Sequence, residues 1–168
     1  NAMDEWPNDQ NNTQLFELFV NPWPFADLVA SDTVAPAQAV EGAHFDVRYT
    51  VTNLGSGPTD RDSWKEQVWL TRDKNRPHPG QGDVLLATVD YAGGALPVGG
   101  GYDRTVSVTL PESLESGVYY ITPWVDPYAQ VLEDTLAINV NPDDPNEIDN
   151  NNYKARPINV IGTPPPPI

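Results

Sequence analysis

The stretch His44-Phe-Asp-Val-Arg-Tyr-Thr-Val-Thr52 decides the fold. Phe45, Val47, Tyr49 and Val51 point one way; His44, Asp46, Arg48, Thr50 and Thr52 point the other. Successive side chains of an extended chain alternate between faces, so this pattern predicts a half-buried strand. Asn53-Leu-Gly-Ser-Gly-Pro58 then ends it as a turn. Further along, Tyr102–Leu110 repeats the pattern, with Val106, Val108 and Leu110 on one face and Asp103, Thr105, Ser107 and Thr109 on the other. Asp27–Ala30, Gln67–Thr71, Val84–Val89, Val118–Val125 and Tyr153–Ile161 are shorter apolar or β-branched runs, separated by Gly, Pro, Asn and Asp. About seven strands over residues 27–161 predict an all-β antiparallel sandwich, each strand lending one apolar face to a shared core. The only helical signal is a short turn near Thr13–Val20. Pro123 has no N–H to give a ladder, so its strand is expected to carry a gap, a bulge or an edge there. Tyr119, two residues after Gly117, stands where a sandwich places a corner tyrosine whose hydroxyl bonds nearby backbone.

Composition removes several function classes. The chain has 168 residues, 24 Asp+Glu against 9 Lys+Arg, a net charge of −15 and no Cys. Such acidity argues against nucleic acid, whose phosphates need a basic patch. Without Cys there is no disulfide, thiolate nucleophile or Cys-held metal. No apolar stretch approaches the ~18–20 residues of a membrane span, and the residues read here are not expected to include a secretory leader, which a longer precursor could have carried. The organisation expected is a tag remnant (Asn1-Ala-Met3), flexible leader and apolar N-terminal segment over 1–25, the sandwich over 26–162, and a Pro-rich linker over 163–168. Pro164–Pro167 should form stiff polyproline II, a spacer to neighbouring domains of a larger protein.

The acids are unevenly placed. Nine lie between Arg104 and Lys154, where there is no basic residue. Within that stretch Asn141, Asp143, Asp144, Asn146, Glu147 and Asp149 form a dense set of hard oxygen ligands, the chemistry calcium takes, with no local cation to relieve their repulsion. The spacing is not that of the helix–loop–helix calcium motif, and a solvated acidic loop with Asn-capped turns is the alternative. The basic cluster Arg61, Lys65, Arg72, Lys74 and Arg76 is interleaved with Asp60, Asp62, Glu66 and Asp73 and reads as a solvated strand face with its loops. His44 and His78 lack a zinc spacing, no G-x-S-x-G is present, and Ser56 between two glycines is a turn residue, so no catalytic residues are assigned. Carboxylates for glycoside hydrolysis abound only because acids abound. Gly93-Gly94 and Gly99–Gly101 make no phosphate loop. Alternation puts Val68 and Leu70 inward and Trp69 outward, either as a platform for sugar rings or covered by the apolar segment Leu15–Phe25; the cover is the favoured expectation.

Several runs together resemble the CARDB family, the cell-adhesion-related domain of bacteria and archaea. Ala26-Asp-Leu-Val29 is similar to its first strand, Tyr49-Thr-Val-Thr-Asn-Leu-Gly55 to its Y-x-V-x-N-x-G, and Val68-Trp-Leu-Thr-Arg-Asp73 to its third strand. Gly82-Asp-Val-Leu-Leu86, then Gly117-Val-Tyr-Tyr120 with Val125-Asp126, then Glu147 with Asn150-Asn151, follow in order. The resemblance implies an Ig-like seven-stranded sandwich serving as a module of surface or secreted proteins. It implies a non-enzymatic extracellular adhesion or structural spacer role, to which the acidic loop adds calcium stabilisation. A carbohydrate-binding module using outward aromatics is the alternative. The residues between Glu133 and Asn150 are an insertion relative to the family, which leaves open whether Glu133 or Glu147 takes the family position.

Overall fold

The computed structural model describes residues 18, 23–133 and 151–164. Every named element is a strand: β1 (Leu28–Val34), β2 (Gln38–Val40), β3 (His44–Asn53), β4 (Trp64–Thr71), β5 (Val84–Tyr91), β6 (Gly101–Thr109), β7 (Gly117–Val125) and β8 (Arg156–Ile161). They form a three-stranded sheet, β1-β3-β6, and a five-stranded sheet, β2-β8-β7-β4-β5. All pairings are antiparallel except β2 with β8. The seven expected strands are present, and β2 is an eighth.

The alternation of β3 holds: Val47, Tyr49 and Val51 are buried against Val106, Val108 and Leu110 from the β6 side and Val68, Leu70, Tyr119, Ile121, Val125, Ile158 and Val160 of the facing sheet. Burial of this apolar layer is the main stabilising term of the fold. The turn after β3 hangs on Asn53. Its Oδ1 accepts the N–H of Asp27 and Gly55, and its Nδ2 donates to the carbonyls of Gly57 and Leu96. A side chain at Gly55 would collide with the Phe25 carbonyl, which explains the Asn-x-Gly pair in physical terms.

Two local expectations are met. The Tyr119 hydroxyl donates to the Glu115 carbonyl at 3.0 Å. Pro123 sits where the β7–β8 ladder, regular from Gly117 to Ile121, has lapsed. Its carbonyl accepts from Lys154 on that same side, so the missing N–H falls in the gap and the β4 ladder is spared. The β4–β5 pairing shifts between Val68 and Trp69, a bulge that skips Leu86. The helical turn expected near Thr13–Val20 lies outside the described residues but for Leu18, which is not helical.

Candidate functional site

Two polar constellations stand out, and the first lies inside the sandwich. The inward face of β4 reads Trp64, Glu66, Val68, Leu70, so a carboxylate enters an apolar layer, and Glu66 is 0% exposed. The expectation that Glu66 belongs to a solvated strand face is therefore corrected: the alternation that buries Val68 buries Glu66 too. An unpaired buried carboxylate would be very costly. Here Oε2 accepts the Tyr49 hydroxyl at 2.5 Å, and Oε1 accepts the Tyr102 hydroxyl at 2.6 Å and Arg104 Nη2 at 2.9 Å. Tyr49 is on β3 and Tyr102 and Arg104 on β6, so the network joins the two sheets. Trp64 Nε1 donates to the Tyr102 hydroxyl, and the Tyr91 ring stacks on Trp64 and Tyr102 with centroids 4.0 and 4.3 Å apart. Burial, reinforced by the Glu66 charge, pushes the Tyr49 and Tyr102 phenols far above their ordinary range. Both phenols therefore stay protonated and donate to Glu66, while the Tyr102 oxygen also accepts from Trp64.

The second constellation is at the pole where β1 begins. Glu133 accepts the Leu28 N–H at 2.7 Å and Asn152 Nδ2 at 2.7 Å, while Asn151 Nδ2 donates to Asp27. The carbonyls of Asn151 and Asn152 accept the N–H of Ala30 on β1 and Val125 on β7, so this strap also spans both sheets. Asp126, at φ 47°, accepts the N–H of Gln130 and Val131, each at 2.8 Å, and closes the turn after β7. Burial pushes its carboxyl above the usual range, with those two donors pulling the other way. Asn152 is 4% exposed, and its Oδ1 has no hydrogen-bond partner among the described residues. Glu133 is thus bonded to Asn152, the residue after the Asn150-Asn151 pair, while Asn150 and Glu147 lie outside the described residues.

The predicted calcium residues Asn141, Asp143, Asp144, Asn146, Glu147 and Asp149 lie outside the described residues. Among the described residues no group of three or more His, Asp and Glu is placed to hold a metal. Trp69 is absent from the inter-sheet core, as alternation expects, but it is only 6% exposed and its indole N–H donates to Gln67. An exposed Trp69 platform is thus not what the fold presents. Most of the expected cover, Leu15–Phe25, lies outside the described residues. Leu18 and Trp23, which are described, are 84% and 71% exposed. Sequence reasoning missed the Glu66 cluster, although an acid in register with Trp64, Val68 and Leu70 is its signal.

Comparison with known proteins adds the following. The CARDB family model matches residues 25–155. No curated protein matches the chain. Among solved structures, the crystal structure of the CARDB domain of the Pyrococcus furiosus PF1109 protein, described as a complex with di-metal ions, is 19% identical. It covers 85% of this chain and 100% of that one, with a TM-score of 0.53. The solution structure of the same domain is 20% identical over 83% of this chain and 98% of that one, with a TM-score of 0.52. A β-glucosidase from Erythrobacter marinus is 12% identical over 81% of this chain and 16% of that one, at a TM-score of 0.47.

Proposed function

We infer the role of this chain from its family: the chain belongs to the CARDB family, a family of non-catalytic domain modules. We propose that it serves as an adhesion or structural spacer module of a cell-surface or secreted protein, beside neighbouring domains, and that calcium stabilises it. The residues proposed to hold the ion are Asn141, Asp143, Asp144, Asn146, Glu147 and Asp149. The observation that carries this reading is the Glu133–Asn152 bond, which ties together the two points where the acidic segment leaves and rejoins the sandwich. That bond holds the two flanks of the segment together, which supports an ion bound by the residues between them. The donor set fits calcium, which takes six to eight oxygens from carboxylates, amides and backbone. The buried, unpartnered Asn152 Oδ1 beside Glu133 is one more oxygen of that kind. The P. furiosus domain described with di-metal ions supports a metal at this fold.

The carbohydrate alternative through Trp69 loses its footing with the burial of that indole. Calorimetric titration with Ca2+, alongside thermal melting, tests the proposal. Heat on binding and a raised Tm are expected, both lost in Asp143→Asn/Asp144→Asn. Neither heat nor a melting shift at millimolar calcium overturns it.

A further inference from the structure

The edge strands of the sandwich are β1 and β6 in one sheet and β2 and β5 in the other. An unpaired edge is a template for another strand, so folds guard their edges, and the guards can be compared. β1 is irregular between Ser31 and Val34, and the Asn151 carbonyl takes its Ala30 N–H. β2 has only three residues. β5 is bulged at Leu86. β6 differs: it pairs with β3 without a register shift from Gly101 to Thr109 and contains neither Pro nor Lys. Its first half is guarded by charge, since Asp103 is exposed and Arg104 reaches across to the Asp90 carbonyl of β5. Thr105–Thr109 has no such guard.

The backbone shows which groups are free there. At the two ends of the β3–β6 ladder, the Leu110 N–H bonds the Ala43 carbonyl and the Asn53 N–H bonds the Gly100 carbonyl. Bonded and non-bonded pairs alternate along an antiparallel ladder. The even-numbered residues of β6 therefore bond β3. Thr105, Ser107 and Thr109 turn their N–H and C=O groups to the open edge, where no hydrogen bond reaches them among the described residues. Their side chains are exposed on the outer face, whereas Val106 and Val108 are buried in the core.

The occupant is written in the sequence. Thr105-Val-Ser-Val-Thr109 reads the same in both directions. An antiparallel copy centred on Ser107 sets Ser107 against itself, Thr105 against Thr109 and Val106 against Val108. Hydroxyl then meets hydroxyl and β-branched meets β-branched, the kind of cross-strand pair that stabilises sheets. No charged residue lies within the paired run, so the acids of two chains stay out of it. We propose that a second copy of this chain docks on this edge, β6 against β6 about a two-fold axis at Ser107. The two three-stranded sheets then become one of six strands, and the patch is its own partner. An interface built on so short a pairing is small, so the association is weak and reversible. This goes beyond the calcium reading and does not depend on it.

The test is sedimentation equilibrium of the full chain from about 10 µM to about 2 mM, with chelator present. A reversible dimer is expected with a Kd of about 0.1–1 mM, tightened by salt, which screens the −15 charge of each chain. Ser107→Lys sets two ammonium groups face to face and should weaken the dimer at least about tenfold with an unchanged far-ultraviolet circular dichroism spectrum. Thr88→Lys, the same charge change at an exposed position of the β5 edge, should leave it in place. The chain has no Cys, so Ser107→Cys supplies a lone thiol. Mild oxidation should link it to its copy at least about ten times faster than Thr88→Cys, because paired positions on adjacent strands lie within disulfide reach. Four results overturn the proposal: a monomer up to the highest concentration, a Ser107→Lys dimer as tight as the wild type, equal weakening by Thr88→Lys, or equal cross-linking rates.

Discussion

Glu66 and Glu133 each tie the two sheets together, yet they meet the cost of their charge differently. Glu66 is answered within the fold by Arg104 and two phenols. Glu133 accepts from two neutral donors, the Leu28 N–H and the Asn152 amide, beside a segment dense in further acids. The first region is therefore closed electrostatically and independent of solutes. Under the calcium proposal the second would gain stability from an added cation.

The sharpest way to break this contrast is at Arg104. Arg104→Ala leaves a buried carboxylate without its counter-charge and is expected to cost about 3–5 kcal/mol in chemical denaturation, the same with calcium or chelator. A calcium-dependent loss would merge the two regions. Calcium itself should come next: at one hundred times its Kd it adds about 2.7 kcal/mol, read as a rise in Tm that Asp143→Asn/Asp144→Asn abolishes and Glu66→Gln leaves in place. Alkali probes the closed region alone. In an unfolded chain phenols ionise near ~10, whereas Tyr49 and Tyr102 are held protonated in the fold. Their contribution is complete below that pH and is lost as pH climbs above it. Tyr49→Phe should cost about 1–3 kcal/mol at neutral pH and flatten the alkaline fall in denaturation midpoint. The smallest effect calibrates the others: Tyr119→Phe removes one neutral hydrogen bond outside both regions and should cost about 0.5–1.5 kcal/mol at any pH or calcium level.

Much of the fold was legible because period-two patterning survives along β3 and β6, and because Asn53, Gly55, Tyr119 and Pro123 each carry a local geometric demand. β2 was not: Gln38-Ala-Val40 is too short to show a period, and its parallel pairing with β8 is a tertiary fact. Trp69 marks another boundary. Alternation assigns a face correctly but says nothing of what lies over that face. For Glu66 the periodicity was present in the sequence but was outweighed by the surrounding charges. Lys65 does point outward, pairing with Asp90 at 2.5 Å, while the next residue turns in. The candidate calcium residues were legible as composition only, because ligand geometry is not a property of spacing.

The poles of the sandwich have a mechanical consequence. β1 starts beside Asn53 and Glu133, whereas β8 ends at the opposite pole, where Gly162 bonds Ser116 and the Glu41 N–H reaches Ile161. A pull applied through these two points runs along the strands. It drags β8 lengthwise between β2 and β7, so the hydrogen bonds flanking it bear load in concert instead of opening one at a time. In single-molecule stretching such a module should yield as one high-force event, a property suited to a link under tension.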